Sequence, residues 1–246
     1  RLQKDTLQWM HLKVLIANLI LPIFIFYFIF PLNTEVATAA FLSAAMPTAG
    51  VAPIIAGLLR SRVAVVTASI LLTSPIVALA LPFLFKLIGG KEIDIPFWDI
   101  MLPICFVIFL PLGLGQLLKN GWPALAIRLL YFKRITFILF LLNVFLASAS
   151  ASNFIQNDQQ AKKMLVLLIA GVVAGVCLLN FILGEKIGGK SLGIEASLGL
   201  GRKNTMFGIW LALTFFNPIV ALGPMFYILF QNVYNSFQIY QAQKIK

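Results

Sequence analysis

Residues 194–216, IEASLGLGRKNTMFGIWLALTFF, decide the reading of this chain. The stretch has the length and apolarity of a helix that crosses a bilayer, yet at its centre Gly199 and Gly201 lead into Arg202, Lys203 and Asn204. A basic residue at the bilayer centre costs about 2.5–3.5 kcal/mol on insertion scales, and normally faces a bundle interior or a water-filled cavity. A second stretch, VATAAFLSAAMPTAGVAPIIAGLL at residues 36–59, is interrupted in its own way by Pro47, Gly50 and Pro53. Proline removes an amide donor and clashes with the preceding turn. Both spans are therefore expected to break near their middles, and irregular backbone at membrane depth survives only where protein or a cavity satisfies it.

The rest of the chain agrees with a membrane setting. Of 246 residues, 61% are hydrophobic and 11% charged, far from the roughly even mix of a soluble domain, and the mean hydropathy is +0.97. Apolar blocks divide it into eight spans near 12–31, 36–59, 63–87, 99–118, 131–152, 164–184, 192–216 and 219–238. Thirteen of the nineteen Lys and Arg residues fall on one side of these spans and four on the other, the last two being Arg202 and Lys203. The positive-inside rule then puts both termini in the cytoplasm, and most of the formal net charge of +11 is loop charge of this kind. No carboxylate is expected near the bilayer midplane to balance Arg202 and Lys203, because all eight acidic residues fall in loops or at span ends.

Spans two and seven run in opposite directions through the membrane. A pair of Gly/Pro-interrupted segments in corresponding, inverted positions points to an inverted-repeat transporter whose site lies where the breaks cross. Spans one to three match spans six to eight as plain, broken, plain, which leaves spans four and five without counterparts and leads us to expect two further helices ahead of Arg1. Half-helix amino ends attract anions, so two such ends, near Val51 and Asn204, together with Lys203 predict a small organic anion as substrate. Thr48, Asn204 and Thr205 are the hydrogen-bonding candidates, with helix back-bonding the alternative for the threonines.

AAMPTAGVAPIIAGLL followed by VAVVTASILLTSPIVALALPFLF, and GLGRKNTMFGIWLAL followed by FFNPIVALGPMFYILFQNVYNSF, resemble the bile acid sodium symporter superfamily over essentially the whole chain. The resemblance implies an all-α polytopic membrane protein with two crossing discontinuous helices and an inverted repeat. It would form one membrane domain over 1–246, with core helices at about 12–87 and 164–238 and a partial panel at about 99–152, two upstream panel helices being absent. It implies transport of bile-acid-like, keto-acid or pantoate-like anions, usually with sodium. The expected crossover and substrate site is Pro47, Thr48, Ala49, Gly50 and Val51 with Gly199, Gly201, Lys203, Asn204 and Thr205.

The family's ion-binding residues carry over only in part. Where relatives have a GGTASN-like stretch this chain reads MPTAGVAP, so the Ser and Asn that supply sodium-binding oxygens are replaced around Gly50 and Val51. Where relatives resemble EVGMQN it reads GLGRKN: Gly199 stands at the glutamate, Lys203 at the glutamine, and Asn204 is kept. Thr67, in the helix that follows the first break, is placed by the resemblance at a sodium-ligand threonine. Both sodium sites thus look dismantled, and Lys203 is expected to act as a tethered cation in their place. It would either stay charged and hold the crossing together or carry a proton as coupling ion.

No HExxH, GxSxG, Walker or paired-carboxylate pattern is present, which argues against an enzyme or an ATP-driven pump. No cofactor, metal or nucleic acid is expected; the partners are the anion and the lipid of an inner or plasma membrane. An anion channel and a membrane sensor that binds an anion without moving it are the alternatives to a carrier. Smaller features have plain readings: Gly171 and Gly175 in GVVAG as a close helix contact, His11 as a solvated or interfacial residue, Trp9, Trp98 and Trp122 as interfacial belts, and Cys105 and Cys177 as unpaired core thiols.

Overall fold

In the computed structural model of the chain, the described residues are 6–89, 97–129 and 161–244, with single positions at 138, 142, 145 and 149. Among them every regular element is a helix: α1 (Trp9–Ile29), α2 (Thr34–Ala45), α3 (Ala52–Leu58), α4 (Val63–Gly89), α5 (Phe97–Gly121), α6 (Pro123–Leu129), α7 (Ala161–Gly201), α8 (Thr205–Phe215) and α9 (Pro218–Lys244). Span five of the sequence reading, 131–152, lies almost wholly outside the described residues, and with it half of the expected panel.

Local chemistry sets the boundaries. Asn33 caps α2, its side chain accepting from the Val36 amide at 3.0 Å, and Asn217 caps α9 in the same way through Val220 at 2.9 Å. Pro47 and the extended Met46 end α2, while Pro53 stands in the first turn of α3, where a missing amide donor costs nothing. Span two is therefore two helices, α2 and α3, with residues 46–51 between them. Span seven breaks at 202–204, and α7 joins spans six and seven through a kink marked by Gly189 (φ 61°) and Leu192.

α2 is the axis of the bundle. Its residues Val36–Ala45 are all buried, and it packs against α1, α7 and α9, which small side chains permit. The tightest approach is at Gly223 of α9, where a Cβ would lie 2.5 Å from the Ala39 carbonyl oxygen. α1 and α4 cover α2 and the end of α7, with Phe26, Phe41 and Phe85 stacked edge to face or tilted through the centre. α5 is held through α4 and α6 and is largely exposed.

Three of these helices, Trp9–Ile29, Val63–Ile88 and Lys163–Gly201, are long and apolar enough to cross a bilayer. α9 is as long as α4, but its second half carries Gln231, Asn232, Asn235 and Gln238. Trp9, Trp98 and Trp122 are 80%, 65% and 66% exposed. Two small readings are corrected. Among the described residues Gly171 and Gly175 face open space, and the close approaches lie at Gly184, Gly188, Gly201 and Gly223 instead. His11 is buried, with Nε2 bonded to the Thr6 carbonyl at 2.8 Å, because α1 starts early enough to bring it under the amino-terminal turn.

Candidate functional site

The two breaks meet. Thr48 and Lys203 form an antiparallel bridge in which the Asn204 amide donates to the Pro47 carbonyl and the Ala49 amide to the Arg202 carbonyl, each at 2.8 Å. The remaining backbone groups of the α7 end are also satisfied. Gly199 O accepts from the Thr48 hydroxyl at 2.6 Å, and Gly201 O accepts from the Tyr227 hydroxyl at 2.8 Å. The Lys203 amide donates to Gln231 Oε1 at 3.0 Å. Buried backbone must be paired somewhere, and here side chains from α9 and the opposite break supply what the interrupted helices lack. Ser74 of α4 adds a long bond to Thr48 O at 3.5 Å.

The sequence-predicted residues fall into three groups. Pro47, Thr48, Ala49, Gly199, Gly201, Lys203, Asn204 and Thr205 are brought together. Asn204 caps α8 through the Phe207 amide at 3.3 Å, Thr205 accepts from Gln231 Nε2 at 3.5 Å, and Gly201 lies so close to Phe181 that a Cβ would meet its ring at 2.5 Å. Both threonines use tertiary bonds rather than helix back-bonding. Gly50 and Val51 sit at the outer edge of the break, Gly50 exposed and Val51 half-buried. Thr67 is the misplaced one: its hydroxyl is spent on Val63 O at 2.9 Å, and it makes no hydrogen bond to the crossing among the described residues. Two residues further along α4, Ser69 faces the crossing instead, its Oγ 3.3 Å from where a Gly199 Cβ would stand.

Both intramembrane cations are buried, Lys203 with 1% of its surface exposed and Arg202 with 9%. Neither snorkels to an interface. Lys203 turns towards α1 and donates its ammonium to Asn18 Oδ1; this bond also fixes the orientation of the amide, since the nitrogen could not face the ammonium. Arg202 turns the other way, Nη1 donating to Asn232 Oδ1 at 2.6 Å and Asn235 Oδ1 at 3.1 Å. From Asn235 the chain of bonds continues to Gln238 Oε1 at 3.0 Å and from Gln238 to Glu185 Oε1 at 3.1 Å. Among the described residues no carboxylate touches either cation; Glu185 reaches Arg202 only through two amides.

Asn18, Ser69 and Gln231 were not singled out in the sequence. Asn18 and Gln231 left a signal, being uncharged amides inside helices that lie against lipid or core. The Asn232, Asn235 and Gln238 series on α9 left a stronger one, because its three-residue spacing marks a single polar face.

Residues 7–158, more than half of the chain, match the sodium bile acid symporter family. The chain belongs to that family. A comparison with curated proteins found no match. Members of the sodium bile acid symporter family are multi-pass membrane transporters of organic anions, and this chain is a transporter of that family. The match ends before α7, so the family assignment rests on α1 to α6 and their surroundings, while both buried cations stand in the part of the chain beyond it.

Proposed function

We propose that this member of the family is a secondary carrier of a small organic anion in which Lys203 takes the place of sodium. The observation that carries the reading is the Lys203 ammonium, fully buried at the crossing and bonded to Asn18, with glycine at 199 where the resemblance places a carboxylate. A unit charge about 4 Å away repels a second cation by about 4 kcal/mol at the effective dielectric of a protein site. That corresponds to roughly a thousandfold loss of sodium affinity, before the loss of the carboxylate is counted. A tethered ammonium supplies the positive charge permanently, and the carrier needs no sodium to load its anion.

The inverted repeat supports the same reading. α1, the α2–α3 pair and α4 would correspond to the first arm of α7, its second arm with α8, and α9, the two broken members crossing at Thr48 and Lys203. Such a carrier would sit in the inner or plasma membrane with both termini in the cytoplasm, substrate approaching the crossing from Pro47 to Val51 and from Asn204 and Thr205. The chemistry of the anion is a carboxylate of the bile-acid, keto-acid or pantoate kind.

Uptake of radiolabelled carboxylates into proteoliposomes tests this. The expected result is equal uptake in sodium, potassium and choline media, abolished in Lys203→Ala. Comparing uptake with and without a pH gradient then shows whether Lys203 keeps its proton or exchanges it during the cycle. Sodium-dependent uptake by the wild type, or unchanged uptake by Lys203→Ala, would overturn the proposal.

A further inference from the structure

The turn that closes the first broken span holds an arginine where glycine is the usual residue. Arg60 has φ 55° and is the only described non-glycine residue with positive φ. The Ser61 amide donates to Ala56 O at 2.9 Å and the Arg60 amide to Gly57 O at 3.1 Å, the paired bonds that end a helix on a left-handed residue. An L side chain there is strained, whereas glycine is not, and a residue kept in such a conformation points to a use for its side chain.

Arg60 lines a cleft of about 460 Å³ with Ser61, Arg62 and Lys190, the last carried by the kink of α7. Glu185 and Glu195 line it too, but among the described residues neither forms an ion pair with these cations. Glu195 Oε1 accepts the Arg62 backbone amide at 2.9 Å, and Glu185 Oε1 accepts from Tyr234 at 3.0 Å and from Gln238 at 3.1 Å. The Ser61 hydroxyl is buried with no hydrogen-bond partner among the described residues. Three cationic side chains and a spare hydroxyl donor therefore surround one space, and against the two carboxylates at its edge, held by neutral donors, they leave it a net positive charge among the described residues. Ile194 also lines the cleft, and Ile54 and Leu58 of α3, the helix that runs into Arg60, are 65% and 55% exposed.

We propose that this cleft is a phosphate-binding site, filled by the headgroup of an anionic phospholipid whose acyl chains lie along α3. Arginine forks and a lysine are the residues that hold phosphate oxygens, basic pockets between helices at the membrane surface recognise such headgroups, and the exposed Ile54 and Leu58 favour a lipid-borne phosphate over a free one. The site is distinct from the crossing and does not depend on what the crossing carries.

The test is the thermal unfolding midpoint of the full chain in phosphatidylcholine nanodiscs, titrated with phosphatidylglycerol in one arm and with inorganic phosphate in another. The midpoint is expected to rise with phosphatidylglycerol. Arg60→Gly combined with Lys190→Gln is expected to weaken that response by roughly 30-fold in lipid concentration, two basic contacts at a membrane surface being removed. Lys119→Gln, on the exposed part of α5, should respond like wild type. Because Arg60→Gly relieves a left-handed arginine, its midpoint without anionic lipid should equal or exceed wild type, which separates lost binding from lost folding. A phosphate site is supported, but lipid as its source is rejected, if inorganic phosphate alone reproduces the rise and the double variant abolishes it. Equal midpoints in the two lipids, a double variant that responds as wild type does, or a lipid-free midpoint lowered by Arg60→Gly would each overturn the proposal.

Discussion

Asn18 gives the Lys203 ammonium one carbonyl oxygen, and its own amide nitrogen is buried without a partner among the described residues. A hydrogen bond to a charged group contributes about 1.5–3 kcal/mol, so Asn18→Leu should destabilise the protein by about that much by stranding the ammonium. Lys203→Met removes the stranded charge, and in the Asn18→Leu background it should restore most of the loss. Thermal unfolding of both single variants and the double variant in detergent would show a coupling of about 0.5–3 kcal/mol; additive effects would mean the two side chains do not interact. Lys203 was legible in the sequence because charge inside an apolar run is conspicuous. Asn18 was legible only as an amide inside an apolar helix, since nothing in a lone amide says that residue 203 will lie beside it. Thr67 is named on a motif comparison alone, and Ser69, which faces the crossing, stands two residues along the helix, a turn of roughly 200°.

At the scale of elements, the breaks were readable from proline and glycine, and the helix order followed from apolar runs and caps. Close packing was less readable, because small-residue spacing marks a face without saying what meets it. GVVAG suggested a contact at Gly171 and Gly175, yet those positions are open, whereas Gly223 presses against the Ala39 backbone. The difference is measurable. Gly223→Ala should cost about 1–3 kcal/mol by overpacking against backbone that cannot turn aside, while Gly171→Ala should be neutral or stabilising by up to about 1 kcal/mol through helix propensity. Asn204→Ala should cost about 1 kcal/mol by uncapping α8 and should also loosen the bridge that holds the two broken helices together. Unfolding midpoints of the three variants would rank them in that order of cost: Gly223, Asn204, Gly171. The polar face of α9 belongs here as well. Its amides make it a poor membrane span by hydropathy, and the same amides hold Arg202 and the Lys203 backbone.

For the whole molecule, Gly199 and Lys203, the two positions at which the resemblance suggests a glutamate and a glutamine, should act as one exchange if the proposed reading holds. Gly199 and Lys203 lie on the same side of the break, against Val14 and Ser69 in one case and Asn18 in the other, so a carboxylate at 199 and an amide at 203 would restore an oxygen-lined, negatively charged space between α1, α4 and the crossing. A Cβ at 199 would sit 3.3 Å from Ser69 Oγ and 3.4 Å from Val14 Cγ1. That is tight, but both contacts are to side chains that can shift by a few tenths of an ångström. Lys203→Gln alone should leave the site with neither cation and stop transport. Gly199→Glu alone should place a carboxylate near the ammonium and lock the crossing, lowering turnover while raising the unfolding midpoint. Gly199→Glu with Lys203→Gln should transport again, now only in sodium, because a hard monovalent cation is what that oxygen set would accept. Uptake by the three variants in sodium and in choline decides the matter: rescue of the double variant by sodium is the expected outcome, and equal inactivity in both media would show that Lys203 does not stand in for the ion.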